Sequence, residues 1–182
     1  MRLFVGVAFP ADIRAALCTL CSGIFGARWV RPEGMHLTLR FIGETDGRGA
    51  TDLDTTLEDL DRPAFEMALT GIGHFSSKAR HRALWAGVEA GNALEQLHAR
   101  VEWAAQRAGF EPEGRKFKPH VTLARFKGRE GVFDLSRYLE DNATFATEPF
   151  FVEALTLFES HLSQEGAHYV ALKDYPLLKQ QP

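Results

Sequence analysis

Apolar residues recur along the chain in two rhythms, and the switches between them mark the elements. Short runs rich in Val, Phe, Leu and Ile predict strands at 2–9, 35–42, 65–72, 83–89, 118–126, 150–159 and 167–172. Helical spacing predicts four helices. Ile13, Ala16, Leu17 and Leu20 stripe the first, which opens at Pro10 and Asp12 and runs to about Cys21. A second covers 51–60, ahead of Pro63. Leu94, Leu97, Val101 and Ala104 stripe the third, over 92–108, with Asn92 as its cap and Gly109 just past its end. A short fourth covers 134–141. The stretches 43–50, 76–82 and 160–166 read as loops, and 29–34 as an extended piece with a turn. Strands dominate and helices do not alternate with them one for one. The expected class is therefore α+β with largely antiparallel sheets, not a doubly wound fold.

The same pattern holds an internal repeat. His36-Leu37-Thr38-Leu39-Arg40-Phe41 matches His120-Val121-Thr122-Leu123-Ala124-Arg125-Phe126. Each copy follows a proline-bearing segment, and the two lie nearly half the chain apart. That spacing suggests two similar lobes related by a pseudo-two-fold axis, making one bilobal domain over residues 1–182 with a cleft between the lobes. Residues two apart on a strand share a face. His36 and Thr38 therefore share one face, as do His120 and Thr122, while the leucines and Val121 look the other way into a core.

Two His and two Thr lining one cleft suit phosphoryl transfer. A neutral imidazole takes a proton from attacking water, and a protonated one gives a proton to the departing oxygen. The two sit on opposite sides of phosphorus, because attacking and leaving oxygens lie roughly in line. The threonine hydroxyls can donate to non-bridging oxygens. Arg125 is a candidate charged donor, although strict alternation turns it to the other face unless a bulge re-aims it. Phe9 and Phe41 could stack on a base, though core packing is the better-fitting role for each.

Composition narrows the field. The chain has 182 residues, 45% hydrophobic and 25% charged, with a net charge of −3. That is an ordinary globular profile, and it disfavours a protein that tracks long nucleic acid. A small anion in a local pocket stays open. No apolar run approaches a membrane span, and 2–9 reads as a buried strand rather than the core of a signal peptide. Cys18 and Cys21 lie in a helical apolar pattern with no second pair, so neither a redox motif nor a zinc site is expected, and a reducing, cytoplasmic setting is. Zinc sites need three or four ligands, and no H-E-x-x-H or carboxylate cluster accompanies the two histidines. No metal and no cofactor is expected. His74, His81 and His98 read as surface or loop residues. His161 and His168 flank a loop that could border the cleft.

With these residues in hand, the chain resembles the 2H phosphoesterase superfamily, and within it the RNA 2′,3′-cyclic phosphodiesterases, also called 2′-5′ RNA ligases or the LigT-like family. Besides the two H-x-T-x motifs, the resemblance takes in Arg28-Trp29-Val30-Arg31-Pro32-Glu33, Phe41-Ile42-Gly43-Glu44, Leu84-Trp85-Ala86-Gly87-Val88 and Phe117-Lys118-Pro119. It implies a bilobal α+β fold and metal-free hydrolysis of RNA 2′,3′-cyclic phosphate ends to 2′-phosphomonoesters. It implies His36 as proton donor and His120 as proton acceptor, with Thr38 and Thr122 on the phosphate. It implies RNA ends or small nucleotides with a 2′,3′-cyclic phosphate as partners. The reverse reaction would be 2′-5′ ligation. A monomer is expected. Two alternatives are a phosphodiesterase for another small cyclic nucleotide or a 2′-5′ oligonucleotide, and a nucleotide-binding module without turnover.

Overall fold

The computed structural model describes residues 1–61, 63–77, 80–126, 132–163 and 166–178. Among them nine strands and four helices follow one another as β1 (Arg2–Ala8), α1 (Ala11–Cys18), β2 (Ala27–Trp29), β3 (His36–Glu44), α2 (Gly47–Glu58), β4 (Phe65–Ser77), β5 (Arg80–Glu89), α3 (Gly91–Arg107), β6 (His120–Phe126), α4 (Val132–Asp141), β7 (Phe150–Val152), β8 (Ala154–Ser163) and β9 (Gly166–Pro176). All named strand pairs are antiparallel, and the class is α+β as the pattern predicts. Among the described residues no helix is long and apolar enough to cross a membrane.

The sheet order is β7-β4-β5-β6-β3-β1-β8-β9, with β2 added on β6. It divides into two four-stranded halves, β3-β1-β8-β9 and β6-β5-β4-β7, each ending inward on one copy of the repeat. The halves meet where Leu37 pairs with Val121, the central residue of each H-x-T. Both are fully buried, as are Leu39 and Leu123 beside them. Among the described residues the join is a single pair, so β3 and β6 splay apart beyond it.

Each gap left by the splay is filled from the opposite repeat. β2, which leads into the first motif, pairs with the second motif's strand through Ala27–Phe126, Arg28–Arg125 and Trp29–Ala124. The segment leading into the second motif runs beside the first motif's strand. There Arg40, only 6% exposed, is bound by the Glu111 carbonyl and lies 2.5 Å from the Glu102 carboxylate of α3. Glu102 also accepts from the Glu113 backbone N–H. Elsewhere α2 is tied to β9, where Lys173 lies 2.7 Å from Asp54 and the Tyr175 hydroxyl donates to the same carboxylate at 2.6 Å.

Element bounds shift from the sequence reading for local reasons. The 76–82 and 160–166 loops are mostly strand, because β4–β5 and β8–β9 are long hairpins. Lys78, Ala79, Gln164 and Glu165 lie outside the described residues. α2 starts at Gly47, four residues early, because the Asp46 side chain accepts from Gly49 N–H at 2.8 Å and caps it. Asn92 is no cap, since α3 begins at Gly91 without a side-chain cap. Glu153 breaks the predicted 150–159 strand into β7 and β8, which pair with different neighbours.

Removing one partner of the buried ion pair strands the other in a poorly solvated place. Arg40→Met is expected to lower the unfolding free energy by about 3 kcal/mol, and Glu102→Met on top of it to recover much of that loss. Urea unfolding of the three proteins checks this.

Candidate functional site

Antiparallel pairing of Leu37 with Val121 sets the site. It puts His36 across from Thr122 and Thr38 across from His120, all four on one sheet face. The histidines become diagonal neighbours, near enough for the charge of His120 to act on His36. The two rings are held alike. Nδ1 of His36 lies 2.7 Å from the Gly34 carbonyl, and Nδ1 of His120 lies 2.7 Å from the Lys118 carbonyl, in both cases two residues back. A carbonyl only accepts, so Nδ1 carries the proton and Nε2 is the unprotonated nitrogen of the neutral ring. Neither Nε2, nor the hydroxyls of Thr38 and Thr122, has a hydrogen-bond partner among the described residues.

Arg125 joins them because both motifs are bulged. In the β5–β6 register Leu84 faces Ala124 while Trp85 faces Thr122, so Leu123 is an extra residue. In β1–β3, Val5 faces Arg40 while Gly6 faces Thr38, and Leu39 is the extra one. Exposure reverses in step after each bulge, and the residue three beyond each threonine returns to the open face. That residue is Arg125 in the second motif and Phe41 in the first. The repeat therefore aligns without a gap, correcting the sequence match of Arg40 with Arg125. Arg40 belongs with Ala124, on the core side. Gly6 permits the tight first bulge, since a Cβ there would lie 2.7 Å from the Leu37 carbonyl oxygen.

The two imidazoles sit in unequal surroundings. His36 is packed by Phe4 at 4.6 Å, Phe158 at 5.6 Å and, edge-on, Tyr169 at 4.8 Å between ring centroids. His120 meets Phe75 edge-on at 4.8 Å. Burial pushes the His36 pKa down to about 4, helped by the charges of Arg125 and His120 and opposed by the bond to Gly34. Burial also lowers His120, with Arg125 acting in the same direction and the bond to Lys118 against it. Both rings are therefore mainly neutral near pH 7. Arg125 has no ion-pair partner among the described residues, and Arg28, directly opposite it on β2, has none either. Like charges placed face to face repel, and these two are exposed on neighbouring strands.

Other sequence candidates fall elsewhere. Phe9 is 3% exposed and packs against Phe150 at 6.1 Å, so it is a core residue rather than a base-stacking one. His161 and His168 face each other across β8–β9 on the side turned away from Tyr169, with His161 3.2 Å from Glu159. They do not border the cleft. His98 stacks on Phe117 at 4.0 Å. The side chain of His81 lies outside the described residues. The Cys21 thiol bonds to the Leu17 carbonyl and is pushed up to about 11, chiefly by burial. No group of three or more His, Cys, Asp or Glu among the described residues is arranged to hold a metal. Arg28, Tyr169 and Phe75 are site neighbours that the sequence reading missed. Only the pairing of distant strands brings them in.

Known proteins share this fold. An RNA 2′,3′-cyclic phosphodiesterase of Aeropyrum pernix is 34% identical over 79% of this chain and 82% of its own. A protein of the same name from Thermus thermophilus is 33% identical over 97% of this chain and 90% of its own. The crystal structure of TT0787, also from T. thermophilus, superposes with a TM-score of 0.80 at 26% identity, covering 100% of both chains. Escherichia coli LigT in complex with 3′-AMP superposes with a TM-score of 0.75 at 25% identity, covering 97% of both. The model of the LigT-like phosphoesterase family matches residues 7–85 and 87–169, one segment for each H-x-T-x motif, and the chain belongs to that family.

Proposed function

We propose that the protein hydrolyses RNA 2′,3′-cyclic phosphate ends to 2′-phosphomonoesters, with His36 and His120 as an acid–base pair. The observation that carries this is the matched suspension of the two rings. Each donates from Nδ1 to the carbonyl two residues back, which leaves Nε2 without a hydrogen-bond partner among the described residues, and the charge of His120 acts on His36. Curated relatives named RNA 2′,3′-cyclic phosphodiesterase support the choice of substrate.

In the forward reaction water attacks phosphorus and gives its proton to Nε2 of His120. The P–O3′ bond breaks, and the 3′ oxygen takes a proton from Nε2 of His36. Thr38 and Thr122 donate to the non-bridging oxygens, and Arg125 balances their charge. Proton exchange with solvent restores the starting forms. With a 5′-hydroxyl in place of water the same forward steps make a 2′-5′ linkage: O5′ attacks phosphorus and gives its proton to His120, and the 3′ oxygen leaves with a proton from His36.

His36→Ala and His120→Ala are each expected to lower kcat by two to four decades, the scale of acid–base catalysis, with the unfolding midpoint little changed. Turnover of a 2′,3′-cyclic-ended oligonucleotide, with the product isomer identified, checks this. Near-normal rates in either variant would sink the paired-histidine reading.

The lowered pKa values set the pH response. kcat/KM reports the free enzyme, in which His36 must be protonated and its value is about 4. His120 must be neutral, and its value also lies below 6.5. The bell for kcat/KM is therefore expected to peak on the acid side of pH 6.5. A bound phosphodiester is an anion and favours the charged imidazole, so the bell for kcat should lie at higher pH than that for kcat/KM. Its two arms belong to the coupled pair. Coincident bells centred at or above about pH 7 would contradict the electrostatics described here.

A further inference from the structure

Arg28 is exposed and, among the described residues, has no ion-pair partner. Arg48 and Arg137, also exposed, each have one, with Asp52 at 3.9 Å and Asp141 at 3.7 Å. Arg28 instead stands opposite Arg125 in the β2–β6 ladder. Cross-strand partners share a face, so both guanidinium groups belong to the open face that carries the two histidines. A like-charged pair directly opposite costs stability that a neutral residue at 28 would not.

The ladder fixes where Arg28 lies. β2 and β3 follow one another along the same side of β6. Leu37 pairs with Val121, the Val30 N–H donates to the Leu123 carbonyl at 2.8 Å, and Ala27 to Trp29 pair with Phe126 to Ala124. Counted along β6, His36 stands level with Thr122 and Arg28 level with Arg125. Arg28 is therefore on the His36 side of the cleft, about 10 Å beyond that ring and away from Thr38. A bound RNA end leads the same way. If His36 protonates the 3′ oxygen, that oxygen points to His36. C3′ is bonded to C4′, which carries C5′ and the preceding phosphodiester, while the base hangs from C1′ on the 2′ side. The strand thus leaves the ribose past His36, toward β2. Arg125 acts on both imidazoles and serves the reacting phosphate, which leaves Arg28 for the next one.

We propose that Arg28 binds the phosphodiester that precedes the terminal nucleotide, so that the protein favours oligonucleotide ends over free nucleoside cyclic phosphates. This rests on the assignment of His36 to the 3′ oxygen given above. The contact is to backbone alone, so it strengthens binding and fixes strand direction without choosing a sequence. A single added phosphate contact also suits a chain of net charge −3, which takes hold of an end rather than tracking a long strand.

The test measures kcat/KM of the full chain on three substrates. They are adenosine 2′,3′-cyclic phosphate, an adenylyl-adenosine dinucleotide ending in a 2′,3′-cyclic phosphate, and the same dinucleotide with an uncharged methylphosphonate linkage. Wild type, Arg28→Gln and Arg28→Lys are compared. Wild type should favour the charged dinucleotide over the neutral one by roughly three- to thirtyfold, between an exposed ion pair and a hydrogen bond to a charged group. Arg28→Gln should erase most of that preference, and Arg28→Lys should keep part of it. In wild type the fall of log kcat/KM with log salt should be steeper for the charged linkage by about 0.7, and the two slopes should converge in Arg28→Gln. Equal treatment of the two linkages by wild type overturns the subsite, even where both outrun the mononucleotide. So does an undiminished preference in Arg28→Gln. Should Arg28→Gln not fold, the linkage preference and salt slopes of wild type and Arg28→Lys decide in the same terms. Binding of the corresponding 2′-phosphomonoesters is measured by calorimetry alongside. The same linkage preference there without turnover overturns the hydrolytic reading and leaves the subsite standing.

Discussion

A single antiparallel contact between the middle residues of two short motifs organises the molecule. Among the described residues, Leu37 and Val121 are the one registered pair that joins β3 to β6. Their side chains point into the core and are wholly buried. Alternation then leaves the flanking His and Thr no choice but the other face. Because the pair is antiparallel, its register sets each His across from the other motif's Thr. Burial of two apolar side chains thereby fixes the geometry of four polar ones.

That placement has an electrostatic cost. Two histidines and an arginine are crowded on a face where aromatic rings displace water, and both imidazoles are pushed toward their neutral forms. The facing Arg28 and Arg125 add to the repulsion. Under the proposed function, a phosphodiester anion seated among these groups would relieve each of these penalties, although the chain as a whole carries a net −3. Local arrangement, not overall composition, sets the sign of the site.

Much of this was legible in the chain. Period-two alternation around His36 and His120 gave the faces, the repeat gave two halves, and apolar stripes gave the helices. What stayed hidden depends on register. The sequence match slid Arg40 onto Arg125 because both precede a Phe, and only the extra residues Leu39 and Leu123 in the ladders show that Phe41 is the true counterpart. Phe9, a candidate for stacking on a base as well as for the core, takes the core role, since its strand has already ended and its ring is buried. Tyr169 and Phe75 meet the histidines from strands far along the chain, and no local pattern records such contacts. The hairpin ends read as loops because 76–82 and 160–166 are mostly polar in sequence and show no apolar alternation.

The crossing of the two lead-in segments bears on how the chain is assembled. β2 belongs by sequence to the first motif and by pairing to the second, while the segment around Glu111 and Glu113 does the reverse. Neither half can finish its own flank. A fragment ended between β5 and α3 would lack both β6, which β2 must join, and the support beneath Arg40. Two such complementary fragments would have to find each other before either was whole. Two intact copies could equally trade halves and satisfy every one of these contacts across a dimer, a domain swap whose population would grow with protein concentration during refolding.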